Sequence, residues 1–505
     1  MNGFLVPAIG DQLDVLLPYL VVAGGGLLVM LVDAFVRTMR KDHLSLLTLA
    51  VLLLAALSQL VRGGGGGERE ILSGMMAVGD YARFFNYLFI GCGVLTTVFA
   101  TSTFDRDEHY RPEFYPLLLF SILGMMVLAA ASDLLTVFLG IETMSLAVYV
   151  LVGGVRGDTR SSEAGFKYLL LGGFASAFLL MGMALLYGFA GGTAFCYISR
   201  ALAQNSGDMS LALLGGGLVL VGFGFKVALV PFHMWTPDVY DGAPAYVTGF
   251  MATAVKAAGF AILLRFAWLM QPQLAFAWYP VLTVLAVLTM SVGNLVALAQ
   301  SSLKRLLAWS SIAHAGYLML GVVTLISPGT GGSAQMVLGR EVGESAGSAL
   351  LFYLLAYSLM NLAAFGVIGA VGSKGREADD IERYAGLSRR RPVAAAVLAI
   401  AMLSLAGIPP MVGFMSKFYL FSAVVRAGLV PLAVIGVINS LVSVYYYLRV
   451  IVVMYMKQPE ADSYEGGEPV AIGAAALLAA LVLLLGVMPD SLHRAALIIF
   501  RQITF

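Results

Sequence analysis

Charge is scarce. Only 12% of the 505 residues are Asp, Glu, Lys or Arg, while 60% are hydrophobic. That charged share is about half of what a soluble domain carries. Mean hydropathy is +0.90, so a water-soluble shell is excluded, and so is intrinsic disorder. Thirty basic residues face twenty-nine acidic ones, a net charge of +1, which leaves no basic field for nucleic acid. Two cysteines, Cys92 and Cys196, are too few for a four-thiolate iron–sulfur cluster. The five histidines (His43, His109, His233, His314 and His493) are scattered, with no pair at metal-ligand spacing. No glycine-rich dinucleotide fingerprint follows a strand pattern. Any redox chemistry is therefore expected in a partner. The first apolar stretch follows Asp11 and Asp14, the wrong flank for a cleavable secretory signal.

Long apolar runs are what the chain has in abundance. About 20 such residues cross a bilayer as a helix. Fourteen stretches qualify: 13–33, 43–62, 83–101, 114–131, 133–153, 163–190, 210–230, 243–270, 276–299, 302–325, 346–372, 391–424, 428–456 and 468–488. The runs are continuous rather than alternating, which excludes a β-barrel. The expected fold is an all-α integral membrane protein of about 14 transmembrane helices. The connecting loops are too short for a separate globular domain. Gly63–Gly67 reads as a flexible loop. With the loop after the first stretch taken as cytoplasmic, seventeen Lys and Arg fall on that side and eight on the other. The positive-inside rule then places both termini outside.

Five basic residues lie within the stretches. Arg265 and Arg449 are close enough to helix ends to snorkel. Lys226, Lys256 and Lys417 lie deeper, and Glu142 is the one carboxylate well inside an apolar run. A charge at the membrane centre costs roughly 2.5–3.5 kcal/mol on insertion scales. Buried ion pairs holding helices together are the structural reading, but three lysines against one acid leave two without an obvious partner. Burial disfavours the charged form of lysine and a nearby carboxylate restores it. Glu142 with Lys226 is thus a natural switch pair for protons. Lys256 would receive the proton and Lys417 would pass it on. His314 reads equally as a shuttle or as a satisfied buried histidine. His233 reads as structural or as part of an entrance at the cytoplasmic surface. Lys304 and Arg305 read as interfacial anchors, and Arg389–Arg391 as topology signals.

The seventh and twelfth stretches look broken. One carries Gly222, Gly224, Lys226 and Pro231; the other carries Gly407, Pro409, Pro410, Gly413 and Lys417. Proline removes a backbone donor and interrupts a helix, and such breaks are tolerated at membrane depth only against protein or water. Both breaks are fourth in a group of five stretches. The expected organisation is a three-helix segment (1–113), a first five-helix repeat (114–270), a second, inverted one (271–456), and a last helix with its tail (457–505). Inverted repeats with paired broken helices are a transporter signature.

The strings FLGIETMSLAVYVLVG, GFKVALVPFHMWTPDVYDGAP, ATAVKAAGF, LKRLLAWSSIAHAGYLMLG and LAGIPPMVGFMSKFYLF together resemble the antiporter-like membrane subunits of respiratory complex I (NADH-quinone oxidoreductase). The short tail HRAALIIFRQITF and the lysine at 417 fit the subunit N branch rather than M or L. The resemblance covers essentially the whole chain and is strongest over 114–425. It implies a proton-translocating subunit in which Glu142, Lys226, Lys256, His314 and Lys417 form a charged chain across the midplane. Pro231, Pro409 and Pro410 mark the gating breaks. It also implies that NADH, FMN, iron–sulfur clusters and quinone reside in partner subunits, with no cofactor or metal in this chain. The partners are other complex I membrane subunits and, through them, the peripheral redox arm. Two alternatives stay open: a monovalent cation/proton antiporter subunit, and the equivalent subunit of a dehydrogenase with another electron donor. Moving one charge against the field costs about 2.3 kcal/mol per 100 mV, and the chain shows no nucleotide site to supply it.

Overall fold

A membrane helix that is apolar all round belongs in the middle of a bundle, and one with an outward stripe belongs at its edge. Burial sorts the helices this way. In the most apolar 18-residue window of Ala245–Leu269 every residue is buried, in that of Leu303–Leu325 94% are, and in that of Thr159–Ala190 33% are. The two central segments carry Lys256 and His314, so these polar groups face protein and not lipid.

The computed structural model describes residues 12–36, 41–60, 68–107, 111–204, 208–270, 274–327, 335–372, 378–459, 464 and 467–501. The Gly63–Gly67 run and both chain termini lie outside the described residues. Three helices open the chain: α1 (Leu13–Phe35), α2 (Lys41–Leu60) and α3 (Asp80–Asp107). The segment expected as the first repeat comprises α4 (Phe114–Ala130), α5 (Leu134–Val152), α6 (Thr159–Ala190), the short α7 (Phe195–Ala203), α8 (Met209–Val227) and α9 (Thr236–Gly242). It closes with α10 (Ala245–Phe250), a π-turn at Met251–Val255 and α11 (Lys256–Met270). The second comprises α12 (Ala275–Ala297), α13 (Leu303–Leu325), α14 (Gln335–Val371), α15 (Leu387–Arg390), α16 (Pro392–Ala406), α17 (Val412–Arg426) and α18 (Val430–Met456). Then follow α19 (Pro469–Val487) and α20 (Asp490–Arg501).

Twelve described helices are long and apolar enough to span a bilayer. The other two expected stretches are α4, of 17 residues, and the α16–α17 pair, of 15 residues each. Among the described residues, these two stretches therefore stand beside the twelve as shorter apolar helices.

The two groups of five share their neighbours. The first helix packs on the second in both (α4 on α5, α12 on α13), and the third packs on the fourth (α6 on α8, α14 on α16 and α17). Glycines allow the close approach. A Cβ on Gly124 would stand 2.4 Å from the Met144 nitrogen, and one on Gly316 would stand 2.4 Å from the Met290 nitrogen. Helix starts are fixed by side-chain caps. Asp133 accepts from the Leu135 amide at 2.8 Å and Asp158 from that of Arg160 at 2.9 Å.

Both breaks have the same backbone. After α8, Ala228 is left-handed (φ 62°); its amide donates to Phe225 and the Leu229 amide to Gly224. After α16, Gly407 is left-handed (φ 88°); its amide donates to Ser404 and the Ile408 amide to Leu403. This is one helix-ending motif used twice. In each case a cis proline peptide follows, Val230–Pro231 and Pro409–Pro410.

Two features are not legible in the hydropathy. The loop between α2 and α3 folds a small hairpin, β1 (Arg69–Ile71) against β2 (Met76–Val78), with Met76 bridging to Ala131. Arg265 does not snorkel. It is buried, with its guanidinium 2.5 Å from Glu68 and its Nε donating to the Ala129 carbonyl at 3.1 Å. Arg449 does reach a helix end, donating to the Gln300 carbonyl at 3.1 Å.

Candidate functional site

The polar side chains of the bundle form a broken line through its centre. At one end, Glu142 of α5 is half-buried and accepts a hydrogen bond of 2.5 Å from Ser176 of α6. Residues 142, 145 and 149 share one helical face, and Ser145 and Tyr149 are what Lys226 touches. The Lys226 ammonium donates to Ser145 Oγ at 2.6 Å and to the Tyr149 hydroxyl at 3.3 Å. The rings of Tyr149, Phe225 and Tyr168 lie 5.3, 5.6 and 5.7 Å away, within cation–π range. Gly172 makes room for this contact, since a Cβ there would stand 2.0 Å from the Tyr149 hydroxyl.

Lys226 lies in the last turn of α8, where helix carbonyls favour a cation. The chain after the break folds back over it. Trp235 donates to the Phe225 carbonyl at 3.0 Å and stacks on Tyr168 with ring centroids 4.4 Å apart. His233, in the turn between α8 and α9, is buried with its ring 5.4 Å from that of Trp309. Burial holds its imidazole below the usual value.

Lys256 follows the π-turn directly, a local geometry common at functional positions. Its ammonium donates to the Ser311 carbonyl of α13 at 2.7 Å and to the Ser311 hydroxyl. Gly259, one turn on, brings α11 against Lys226, since a Cβ there would stand 3.6 Å from Lys226 Cβ. The helix that begins at Lys256 thus packs directly on α8 at Lys226.

His314 lies one turn after Ser310 and Ser311 on α13. Its Nδ1 is 2.8 Å from the Tyr353 hydroxyl and its Nε2 3.2 Å from that of Tyr447. Tyr447 also bonds Ser310. Both ring nitrogens thus have partners. On the adjacent turn, Tyr317 bonds Asn294 at 2.8 Å, and Tyr446 bonds the same asparagine at 3.0 Å.

Lys417 closes the line. Its ammonium donates to the Leu405 and Ala406 carbonyls, both at 3.0 Å, and to Ser440 Oγ at 2.9 Å. It caps the C-terminal end of α16, whose last carbonyls have no helical partner. The Tyr317 ring lies 5.3 Å away. A cleft of about 780 Å³ between α17 and α18 opens beside Lys417.

Glu142, Lys226, Lys256, His314 and Lys417 are thus gathered by five helices, but not as one continuous chain. Among the described residues, no direct hydrogen bond or ion pair joins Glu142 to Lys226, Lys226 to Lys256 or His314 to Lys417. Ser145, Tyr149, Ser311, Tyr353 and Tyr447 do not stand out in the sequence. The helical spacing 142–145–149 and the string SSIAH are the signals that could have found the residues of α5 and α13. The tyrosines of α14 and α18 have none, because their partner lies on another helix.

Residues 131–443 match the family described as NADH:quinone oxidoreductase/Mrp antiporter, TM. NADH-quinone oxidoreductase subunit N of Trichlorobacter lovleyi is 43% identical over 488 residues, covering 96% of each chain. Subunit N 1 of Sorangium cellulosum is 42% identical over 504 residues, covering 94% of this chain and 96% of that one. Among solved structures, a chain of respiratory complex I from Thermus thermophilus with bound aureothin aligns with a TM-score of 0.78 at 35% identity, over 94% of this chain and 98% of that one. A chain of the Mrp complex from Dietzia sp. shares the fold alone, with a TM-score of 0.80 at 21% identity over 97% of both chains.

Proposed function

The chain belongs to the antiporter-like membrane subunits of NADH-quinone oxidoreductase, within the subunit N group, and we propose on that premise that it moves protons along Glu142, Lys226, Lys256, His314 and Lys417. Electron transfer from NADH to quinone in partner subunits drives the movement. This chain acts as a translocase subunit without a redox site. NADH, FMN, the iron–sulfur clusters and the quinone belong to the peripheral arm and neighbouring subunits. The protein resides in the cell inner membrane, with its basic loop side in the cytoplasm and both termini on the periplasmic side.

One observation carries this reading. Among the described residues, none of Lys226, Lys256 and Lys417 lies within ion-pair distance of a carboxylate; each ammonium is held by hydroxyls or backbone carbonyls. Lysines kept to clamp helices would pair with acids, because an unpaired charge is costly in a dry interior. Neutral acceptors hold the ammonium while leaving its proton free to go, since a hydroxyl or carbonyl imposes no charge that must stay balanced. Pro231, Pro409 and Pro410 sit where each broken helix turns, so a change in either break moves the adjacent lysine relative to its acceptors.

Vesicles containing the intact complex with Lys226→Met test this. The expected result is fewer protons moved per NADH oxidised, with the same value in the presence and absence of sodium. An unchanged ratio in a fully assembled complex overturns the relay. A sodium flux that disappears with Lys226→Met while proton movement tracks it establishes cation/proton antiport instead, the reading suggested by the fold shared with the Mrp chain.

A further inference from the structure

Asn294 is a fully buried polar residue of the apolar helix α12. Such a group is costly unless its donors and acceptor are met. Its ordinary role in a membrane bundle would be to join two helices by a hydrogen bond. α12 and α13 need no such joint. A Cβ on Gly293 would stand 2.5 Å from the Ala313 nitrogen, and one on Gly316 would stand 2.4 Å from the Met290 nitrogen. Glycines on both helices already bring the two backbones into contact.

The amide of Asn294 does something more specific. Its nitrogen lies 2.8 Å from the Met290 carbonyl and 2.8 Å from the Tyr317 hydroxyl. A carbonyl only accepts, so Met290 decides which end of the amide faces it. The two hydrogens on the nitrogen are then directed at Met290 and Tyr317. The Tyr317 oxygen must accept, and its own hydrogen must point away from Asn294. The amide oxygen is left for Tyr446 of α18, which donates to it at 3.0 Å. One backbone carbonyl thereby sets the direction of two buried hydroxyls. An amide does not titrate, so the setting holds whatever the charge nearby.

Both contacts bear on Lys417. The Tyr317 ring lies 5.3 Å from the Lys417 ammonium and 5.6 Å from the His314 ring. The hydroxyl that accepts from the ammonium is Ser440 of α18, at 2.9 Å. α18 is tied to α12 at two points seven residues apart, two turns along one face. Tyr446 is held by Asn294, and Asn439 donates to Ser291 at 3.3 Å. The Asn439 side-chain oxygen also comes within 3.5 Å of the Asn294 nitrogen. Ser440 follows Asn439 directly, so the register these bonds fix is that of the Lys417 acceptor. The other two acceptors, the Leu405 and Ala406 carbonyls, belong to the backbone of α16 and do not depend on α12.

We propose that Asn294 is a positioning residue for Lys417, holding the Tyr317 ring and the Ser440 hydroxyl where the ammonium meets them. The inference rests on the relay reading and adds what fixes the surroundings of its last lysine. Asn294 carries no proton itself. It acts through Tyr317 on one side and α18 on the other, so the same neutral partners stand around Lys417 each time it gains or loses a proton. The Ser440 hydroxyl can reorient its hydrogen in place, whereas a slip of α18 would take it out of reach.

The intact complex in sealed vesicles tests this. Asn294→Leu keeps a side chain of similar size and removes the amide. It is expected to lower the protons moved per NADH oxidised by at least half as much as Lys417→Met does. It is also expected to shift the pH at which proton movement is half-maximal. Loosened packing alone would lower the Tm and leave that pH where it is, so an unmoved pH profile in the assembled N294L complex overturns the proposal. Tyr317→Phe keeps the ring and removes the hydroxyl that Asn294 holds. Should N294L not assemble, Y317F decides: a shifted profile supports the proposal and an unmoved one overturns it. Where both assemble, N294L/Y317F should lose no more than N294L alone, because one residue acts through the other; additive losses overturn the proposal. Lys417→Met separates the two claims. A normal ratio there removes the relay itself, whereas a lowered ratio there with wild-type behaviour in N294L removes only the positioning role.

Discussion

The ammonium of Lys256 crosses from the first five-helix group to the second and meets the Ser311 carbonyl at 2.7 Å. The two residues stand 55 positions apart in the chain. This contact is the seam of the proposed relay. On one side lies the Lys226 cluster, tied to α5 and α6; on the other lie Ser310, Tyr447 and His314. Because Ser311 offers both its carbonyl and its hydroxyl, the ammonium keeps one acceptor when the hydroxyl reorients. A proton can then leave toward α13 without stranding the lysine.

That arrangement predicts a graded response at the seam. Ser311→Ala removes the hydroxyl and keeps the carbonyl, so the complex should assemble and proton movement should fall several-fold. Tyr447→Phe removes the partner shared by Ser310 and His314 and should have a similar effect. Combining the two should cost little more than either, as expected when both lie on one path. Initial rates of proton movement in vesicles, normalised to assembled complex, check this.

The second break should be both structural and functional. Lys417 holds the last carbonyls of α16, so Lys417→Met leaves two buried acceptors unmet at about 1–3 kcal/mol each. A lower Tm of the purified complex is expected together with lost pumping. Gly413→Ala should act more severely, since a Cβ would stand 1.8 Å from the Ser404 carbonyl and the two half-helices must move apart. Thermal unfolding of both variant complexes, alongside native-gel assembly, tests the order.

The hairpin clasp provides a pH prediction. Burial raises the Glu68 carboxyl above its ordinary value of 4.5, outweighing the opposing pull of Arg265. A group whose folded value is raised contributes stability that is fully present below its unfolded value and is lost as pH rises through the folded value. Lowering the pH from neutral toward 4.5 should therefore tighten the hairpin. Glu68→Gln should remove that dependence, whereas Glu68→Ala should destabilise at every pH by leaving Arg265 short of acceptors. Protease cleavage within residues 68–78, followed against pH in the three complexes, measures it.

The membrane stretches, the deep lysines and both breaks are legible in the sequence because they depend on local properties: runs of apolar residues, a charge inside a run, prolines near glycines. What is not legible depends on contacts between distant segments. Arg265 reads as a snorkelling residue because nothing local announces Glu68, 197 positions away. Lys304 and Arg305 read alike because periodicity does not tell which of two neighbours turns inward; the Lys304 side chain is 2% exposed and that of Arg305 38%. Glu142 and Lys226 are legible as a switch pair because both are charged, whereas Ser145 and Tyr149, which touch the lysine from the same face of α5, carry no charge to announce them. The break expected in the twelfth stretch divides it into α16 and α17, of 15 residues each.

The proton-to-electron ratio of the Lys256→Met complex tests the central claim most directly. NADH oxidation and proton movement would be followed together in sealed vesicles, with assembly confirmed. A methionine keeps the volume of the side chain and removes the titrating group, so the account predicts a ratio below that of the unsubstituted complex. A ratio equal to it, in a fully assembled complex, would contradict the account.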